Sequence, residues 1–138
     1  RALDGFGIPW ETRVASAHKT PRYLLDMLAV YEERDDPVVY ITVAGRSNAL
    51  SGMVDAAVRA PVIACPPYSD KFGGGDLYSS LRTPSGVAPA VILEPKNAAL
   101  LAAKMLSLAD LELREKVAGA QRVQQERLYQ ADQQDRNL

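Results

Sequence analysis

A chain of 138 residues with 47% hydrophobic content fits a single domain, residues 1–138, with a packed core. Its 16 basic and 17 acidic residues leave a net charge of −1, which speaks against a nucleic-acid-coating protein but not against an anion site built from a few side chains. One cysteine, Cys65, and one histidine, His18, exclude an internal disulfide and a Cys/His zinc site. With no apolar run near the roughly 20 residues of a membrane span, a cytoplasmic protein without membrane or nucleic-acid partners is expected.

Residues 1–9 read as the last turn of a helix, a glycine C-cap and the entry to a strand, with no room for the helix that should come before. Residues 8–14 read as a strand. The turn Ser16-Ala17-His18-Lys19-Thr20-Pro21 follows, with Thr20 as N-cap and Pro21 at the first helical position. From Pro21 to about Arg34, apolar Leu24, Met27, Leu28 and Tyr31 keep the spacing of a helix lying on a core. Residues 38–43 form a β-branched run suited to a buried parallel strand. Ala44-Gly45-Arg46-Ser47-Asn48 is a tight turn, and a helix is expected over 49–59. Residues 61–65 make a third strand, stopped by Pro66 and Pro67. A loop rich in Ser, Asp and Gly spans 68–75, a short helix 76–82, a strand 90–93 and a strong helix 96–109. A last helix runs from Leu111 to about Gln134, with Glu112 and Lys116 at i, i+4 spacing and a Gln-rich end.

Alternation of strand and helix argues for a parallel sheet covered on both faces. Helix 96–109 has only a narrow polar stripe, Asn97, Lys104 and Ser107, so it requires cover on more than one side. That cover is either a second subunit, the favoured reading, or the last helix of the same chain.

Three strand ends carry chemistry: the His18 turn, the Gly45-Arg46-Ser47 turn, and Cys65-Pro66-Pro67 with its glycine-rich loop. Consecutive parallel strands put all three on one sheet edge, where α/β folds bind ligands. An imidazole, two cations, hydroxyls and helix amino termini suit an anionic small molecule, most naturally a phosphate ester. Each signal has a plain counterpart. His18 could be a polar cap, Lys19 and Arg46 surface charges, Gly73-Gly74-Gly75 a flexible loop rather than a lid, and Cys65 a buried small hydrophobe. No nucleophile elbow surrounds Ser79-Ser80 or Ser85-Gly86.

Taken in order, Ser16-Ala17-His18-Lys19-Thr20-Pro21, Ala44-Gly45-Arg46-Ser47-Asn48-Ala49-Leu50-Ser51-Gly52, Cys65-Pro66-Pro67, Ser79-Ser80-Leu81-Arg82-Thr83-Pro84-Ser85-Gly86 and Asn97-Ala98-Ala99-Leu100-Leu101-Ala102-Ala103 resemble the phosphoribosylaminoimidazole carboxylase family of de novo purine synthesis. The resemblance covers roughly residues 5–110. It implies a flavodoxin-like, three-layer, doubly wound parallel sheet with a C-terminal helix extension, a homo-oligomer (dimer, tetramer or larger), and no metal or organic cofactor. The family has a branch that rearranges an N-carboxylated substrate and a branch that takes carbon dioxide directly. Lys19, where the rearranging branch has Arg, and Arg46-Ser47-Asn48, where it has Gly-Ala-Ala-His, resemble the carbon-dioxide branch. One departure stands out: the family opens with a strand, a Gly-Ser-x-Ser-Asp turn and a helix, a unit absent from this chain. About 20 to 30 residues preceding Arg1 in the natural protein are therefore expected. In this fold that strand lies between those ending at Val14 and Val43, and its loss would leave two unpaired edges.

By the same resemblance His18 is the catalytic group, moving a proton at C4 of aminoimidazole ribonucleotide. Ser16, Ala17, Lys19, Ala44, Gly45, Arg46, Ser47 and Leu50 bind substrate, Ser16 and Lys19 at phosphate or ribose and Ala44 to Ser47 around base and carboxylate. Residues 69–75 would close over the substrate. The competing readings are the mutase reaction of the other branch and a non-catalytic nucleotide-binding or scaffold paralogue. A carboxylase of pyridinium cofactor synthesis fits the five motifs less well. A receiver-like domain fits poorly, because no acidic cluster follows a strand.

Overall fold

The structure is a computed structural model that describes residues 1–136. Its centre is a parallel sheet of three strands, β1 (Tyr40–Thr42), β2 (Val62–Ala64) and β3 (Ala90–Val91), in the order β1-β2-β3. Tyr40 lies opposite Val62, and Ile63 opposite Ala90. All three β2 residues are buried, which is why the segment carries no polar alternation.

Successive β2 side chains point to opposite faces, and each face has its own core. Val62 meets Leu24 and Leu28 of α1 (Pro21–Glu32) and Val54 of α2 (Ala49–Ala57). Leu24 and Leu28 sit one helical turn apart, and burying each contributes about 2 kcal/mol. Ile63 and Cys65 meet Ala98 and Ala102 of α4 (Pro95–Leu106) on the other face. Between β2 and β3, α3 (Tyr78–Leu81) follows a 3-10 segment, Lys71–Leu77. The result is the three-layer α/β arrangement expected from the alternating pattern.

The small buried face of α4 (Ala98, Ala99, Ala102 and Ala103) lets it approach a partner closely on two sides. The sheet takes one side. On the other, Ala103 packs with Leu113 and Val117 of α5 (Leu111–Arg136). So a helix of the same chain supplies the second cover that the composition of α4 demanded. Asp110 accepts the Leu113 N–H at 3.0 Å to start α5, and Lys116 meets Glu112 at 2.8 Å as the spacing predicted. Beyond Val117 no described residue of α5 is buried.

Residues 8–14 are a correction: they form no strand. The chain opens with a 3-10 turn, Asp4–Phe6, closed by Gly7 at φ 70°, a left-handed conformation that favours glycine. Phe6 and Ile8 then pack onto the α4–α5 core instead of a sheet. Side chains hold the rest: Trp10 Nε1 donates to Asp4 at 2.8 Å, and Arg13 donates to the Tyr23 and Tyr31 hydroxyls at 3.0 and 3.1 Å. A strand is defined by the backbone beside it. Among the described residues β1 pairs only with β2, so its other edge is unpaired, and residues 8–14 form no ladder with it. His18 accordingly follows a segment outside the sheet, not a sheet strand. The other helices and strands overlap their expected ranges with ends shifted by up to three residues. A 3-10 segment occupies 71–77 where the pattern reads as a loop over 68–75, and helix 96–109 runs Pro95–Leu106, where Ser107 caps it.

Candidate functional site

The His18 turn is built locally. Ser16 N–H donates to Thr20 Oγ1 at 2.9 Å, and Thr20 N–H donates to the Ser16 carbonyl at 2.9 Å. Lys19 N–H donates to Ser16 Oγ at 3.2 Å. Thr20 does occupy the N-cap position of α1, but its hydroxyl staples the turn rather than capping the helix. Pro21 has no N–H to offer, and no side chain caps the first-turn amides of Arg22 and Tyr23. Ser16 and Ala17 are half-buried, while His18 and Lys19 are exposed at the turn's tip. The arrangement presents an imidazole and an ammonium group beside a helix amino terminus, a combination that favours anions.

The second turn, at the carboxyl end of β1, holds Ala44 and Gly45 half-buried and Arg46 and Ser47 exposed. A side chain on Gly45 would lie 3.4 Å from Pro67, so the loops after β1 and β2 run side by side. Arg46 sits at φ 60°, an uncommon conformation for a residue with a side chain. Behind it Asn48 caps α2 by accepting the Ser51 N–H at 3.1 Å, and its amide donates to Ser51 Oγ at 2.7 Å and Ser80 Oγ at 2.9 Å. Thr42 Oγ1 meets Ser51 Oγ at 2.7 Å, tying this cluster to β1.

Shared packing brings the two turns to one side of the molecule. Ala17 and Leu50 both lie against the core of Leu24, Leu28, Val54 and Val62. Among the described residues no hydrogen bond or ion pair joins residues 16–19 to residues 44–50. The third element, residues 68–75, is exposed apart from half-buried Ser69, with Tyr68 and Phe72 turned to solvent. Phe72, Gly73 and Gly74 all adopt positive φ. Cys65 is buried in the sheet, and burial pushes its thiol pKa up, so it is a small core residue and not a thiolate nucleophile.

From the sequence, Ser79 and Ser80 belong to a family motif without an assigned role, and Asp76 only to a short helix over 76–82. In the fold, Asp76, Ser79 and Ser80 reach the Arg46 turn from some thirty residues away. Only the Asn48 to Ser51 spacing, an N-cap pattern, hinted at the cluster. A different cleft, of about 390 Å³, opens near the amino ends of β1 and β2, lined by Tyr31, Glu32, Arg59, Pro61, Met105 and Leu106. Its charges are already paired, Glu32 with Arg59 and Arg34 with Asp36. Among the described residues no cluster of three or more His, Cys, Asp or Glu could hold a metal ion, and no helix is long and apolar enough to cross a membrane.

Comparison with known proteins places the chain in a family. Residues 1–127 match the model described as AIR carboxylase. The chain is 56% identical over 131 residues to a phosphoribosylaminoimidazole carboxylase of Archaeoglobus fulgidus, covering 95% of this chain and 72% of that one. It is 58% identical over 115 residues to the enzyme of the same name from Treponema denticola, covering 83% and 72%. The crystal structure of Treponema denticola PurE superposes with a TM-score of 0.95 at 51% identity, covering 96% of this chain and 84% of that one. The chain belongs to the AIR carboxylase family.

Proposed function

We propose that this protein carboxylates 5-aminoimidazole ribonucleotide at C4 with carbon dioxide, giving 4-carboxy-5-aminoimidazole ribonucleotide, with His18 as the proton-transfer group. The observation that carries the site assignment is the solitary imidazole, exposed on a turn fixed by the Ser16–Thr20 bonds. The amino group of the substrate pushes electrons through the ring, so C4 attacks the carbon of carbon dioxide. A C–C bond forms, and one C=O π pair becomes a carboxylate lone pair. C4 is then tetrahedral, bearing hydrogen and carboxylate. An imidazole nitrogen of His18 takes that hydrogen as a proton, the C–H pair restores the aromatic ring, and the proton passes to solvent.

Lys19, Ser16 and the first-turn amides of α1 hold phosphate or ribose. Ala17 and Leu50 form the apolar floor between the turns. Ala44, Gly45, Arg46 and Ser47 take the base and the new carboxylate, Arg46 supplying a fixed positive charge where negative charge develops. The loop over residues 69–75 closes above them, with glycines that supply the hinge. Direct use of carbon dioxide, rather than rearrangement of an N-carboxy nucleotide, is favoured by Lys19 and by Arg46-Ser47-Asn48, and by relatives named carboxylase. Supplying each substrate separately decides between the two. The chain works as a cytoplasmic homo-oligomer; the exposed Val123, Leu128 and Tyr129 on α5 support self-association, which light scattering measures.

The test is His18→Asn. Turnover falls below detection while nucleotide affinity stays within about threefold, because asparagine keeps a polar group of similar reach but transfers no proton. Wild-type turnover in His18→Asn ends the assignment.

A further inference from the structure

Arg46 holds a backbone conformation that its side chain disfavours, and nothing within its own turn explains why. The explanation lies in residues 76–80. Arg46 N–H donates to Asp76 Oδ2 at 3.2 Å. The Ser79 hydroxyl reaches the Arg46 carbonyl at 2.9 Å and the Asp76 carbonyl at 2.7 Å, and one proton is shared between these two acceptors. The same oxygen accepts the Asn48 N–H at 2.9 Å. Both main-chain groups of Arg46 and the amide two residues on are thus fixed from one short segment. Buried Ser80 adds a bond to the Asn48 side chain at 2.9 Å.

We infer that Asp76 and Ser79 are positioning residues that mould the Ala44–Ser47 turn and so set where the Arg46 guanidinium stands toward the substrate carboxylate. They touch no reacting atom; they act through Arg46. This rests on the reading that Arg46 lies in the substrate site. The turn after β1 is exposed at Arg46 and Ser47 and has no ladder bonds of its own, so a left-handed residue there persists only while surrounding contacts hold it. The mould follows a segment with three consecutive positive-φ residues, Phe72, Gly73 and Gly74. Asp76 and Ser79 therefore offer a direct route by which a movement of residues 68–75 reaches Arg46.

The experiment is a double-mutant cycle read in the decarboxylation direction, where the carboxylate is present in the bound ground state. Ser79→Ala raises KM for the carboxylated nucleotide about tenfold, the effect of one well-placed hydrogen bond, and leaves kcat within about twofold because His18 is untouched. Ser79→Thr, which keeps the hydroxyl, restores KM to within about twofold. On an Arg46→Ala background, Ser79→Ala adds less than about twofold, since the group it positions is gone. The same tenfold loss on that background, or no rescue by threonine, overturns the inference and leaves the site reading standing. Arg46→Ala with wild-type KM overturns the site reading itself. Should Ser79→Ala lose its fold by circular dichroism, Asp76→Ala takes its place in the cycle, with the same non-additivity expected and additivity again decisive against it.

Discussion

Replacing Asn48 with alanine removes the centre of a buried polar cluster, and the structure sets the cost. Asn48 is 6% exposed, Ser51 2% and Ser80 3%. The side chain caps α2 through Ser51 N–H and donates to Ser51 Oγ and Ser80 Oγ. A lost N-cap costs about 1 kcal/mol, and two lost side-chain bonds cost about 1 kcal/mol each, for a total of about 3 kcal/mol. At about 2.1 cal/mol/K per residue, a chain of 138 residues unfolds with an entropy of about 0.29 kcal/mol/K. Asn48→Ala should therefore melt about 10 °C below the wild type in a circular dichroism scan. Asn48→Asp separates the contributions. Aspartate is an equally good cap but has no amide to donate, and it places a carboxylate among buried groups. It should melt at least as low as the alanine variant. Asn48→Ala within about 3 °C of the wild type, or Asn48→Asp at the wild-type midpoint, would refute the reasoning.

The remaining expectations concern other parts of the molecule. Lys19→Ala should weaken binding of the phosphorylated substrate about tenfold, the worth of one charge-assisted bond; unchanged affinity by calorimetry removes Lys19 from the phosphate site. Bonds from Arg59 N–H, Tyr40 and the Arg59 side chain hold the Glu32 carboxyl below its ordinary 4.5 against the opposing effect of burial. Its support is therefore full above about pH 4.5 and is lost as pH falls through the lower folded value. The urea-midpoint difference between the wild type and Glu32→Gln should then shrink between pH 7 and pH 3, whereas a constant difference contradicts it. Tyr40, pushed up to about 12 by burial and by Glu32, should add a loss of stability between about pH 10 and 12 that Tyr40→Phe lacks. Cys65 should resist a thiol reagent in native buffer and react fully in urea, because burial raises its pKa; fast native labelling would contradict its place in the core.

What the sequence revealed depended on how local the determinants were. Helices α1, α4 and α5 carry their own evidence: Leu24 and Leu28 a turn apart, four alanines on one face, Glu112 paired with Lys116. Their periodicity states which side is buried before any partner is known. Residues 8–14 carry the composition of a strand and are not one, because strand identity belongs to a pair of backbones. Composition cannot report that β1 pairs on one side only. Phe6 and Ile8, read as the approach to a sheet, instead fill a gap between α4 and α5.

The two halves of the site divide along the same line. Every bond shaping the His18 turn spans three or four residues, so Ser16, Thr20 and Pro21 announced that turn together. The Arg46 turn is shaped from thirty to thirty-three residues away, across a helix, a strand and a loop. Its residues could be recognised while its conformation could not. The difference has a mechanical consequence. The hydrogen bonds that shape the His18 turn all lie within residues 16–20, whereas the Arg46 turn takes its shape from residues 76–80 and inherits whatever happens to them. On the proposed roles, proton transfer rests on local bonds and carboxylate binding on distant ones. Changes in the loop that precedes Asp76 should then move KM for the carboxylated nucleotide and leave the chemistry at His18 in place.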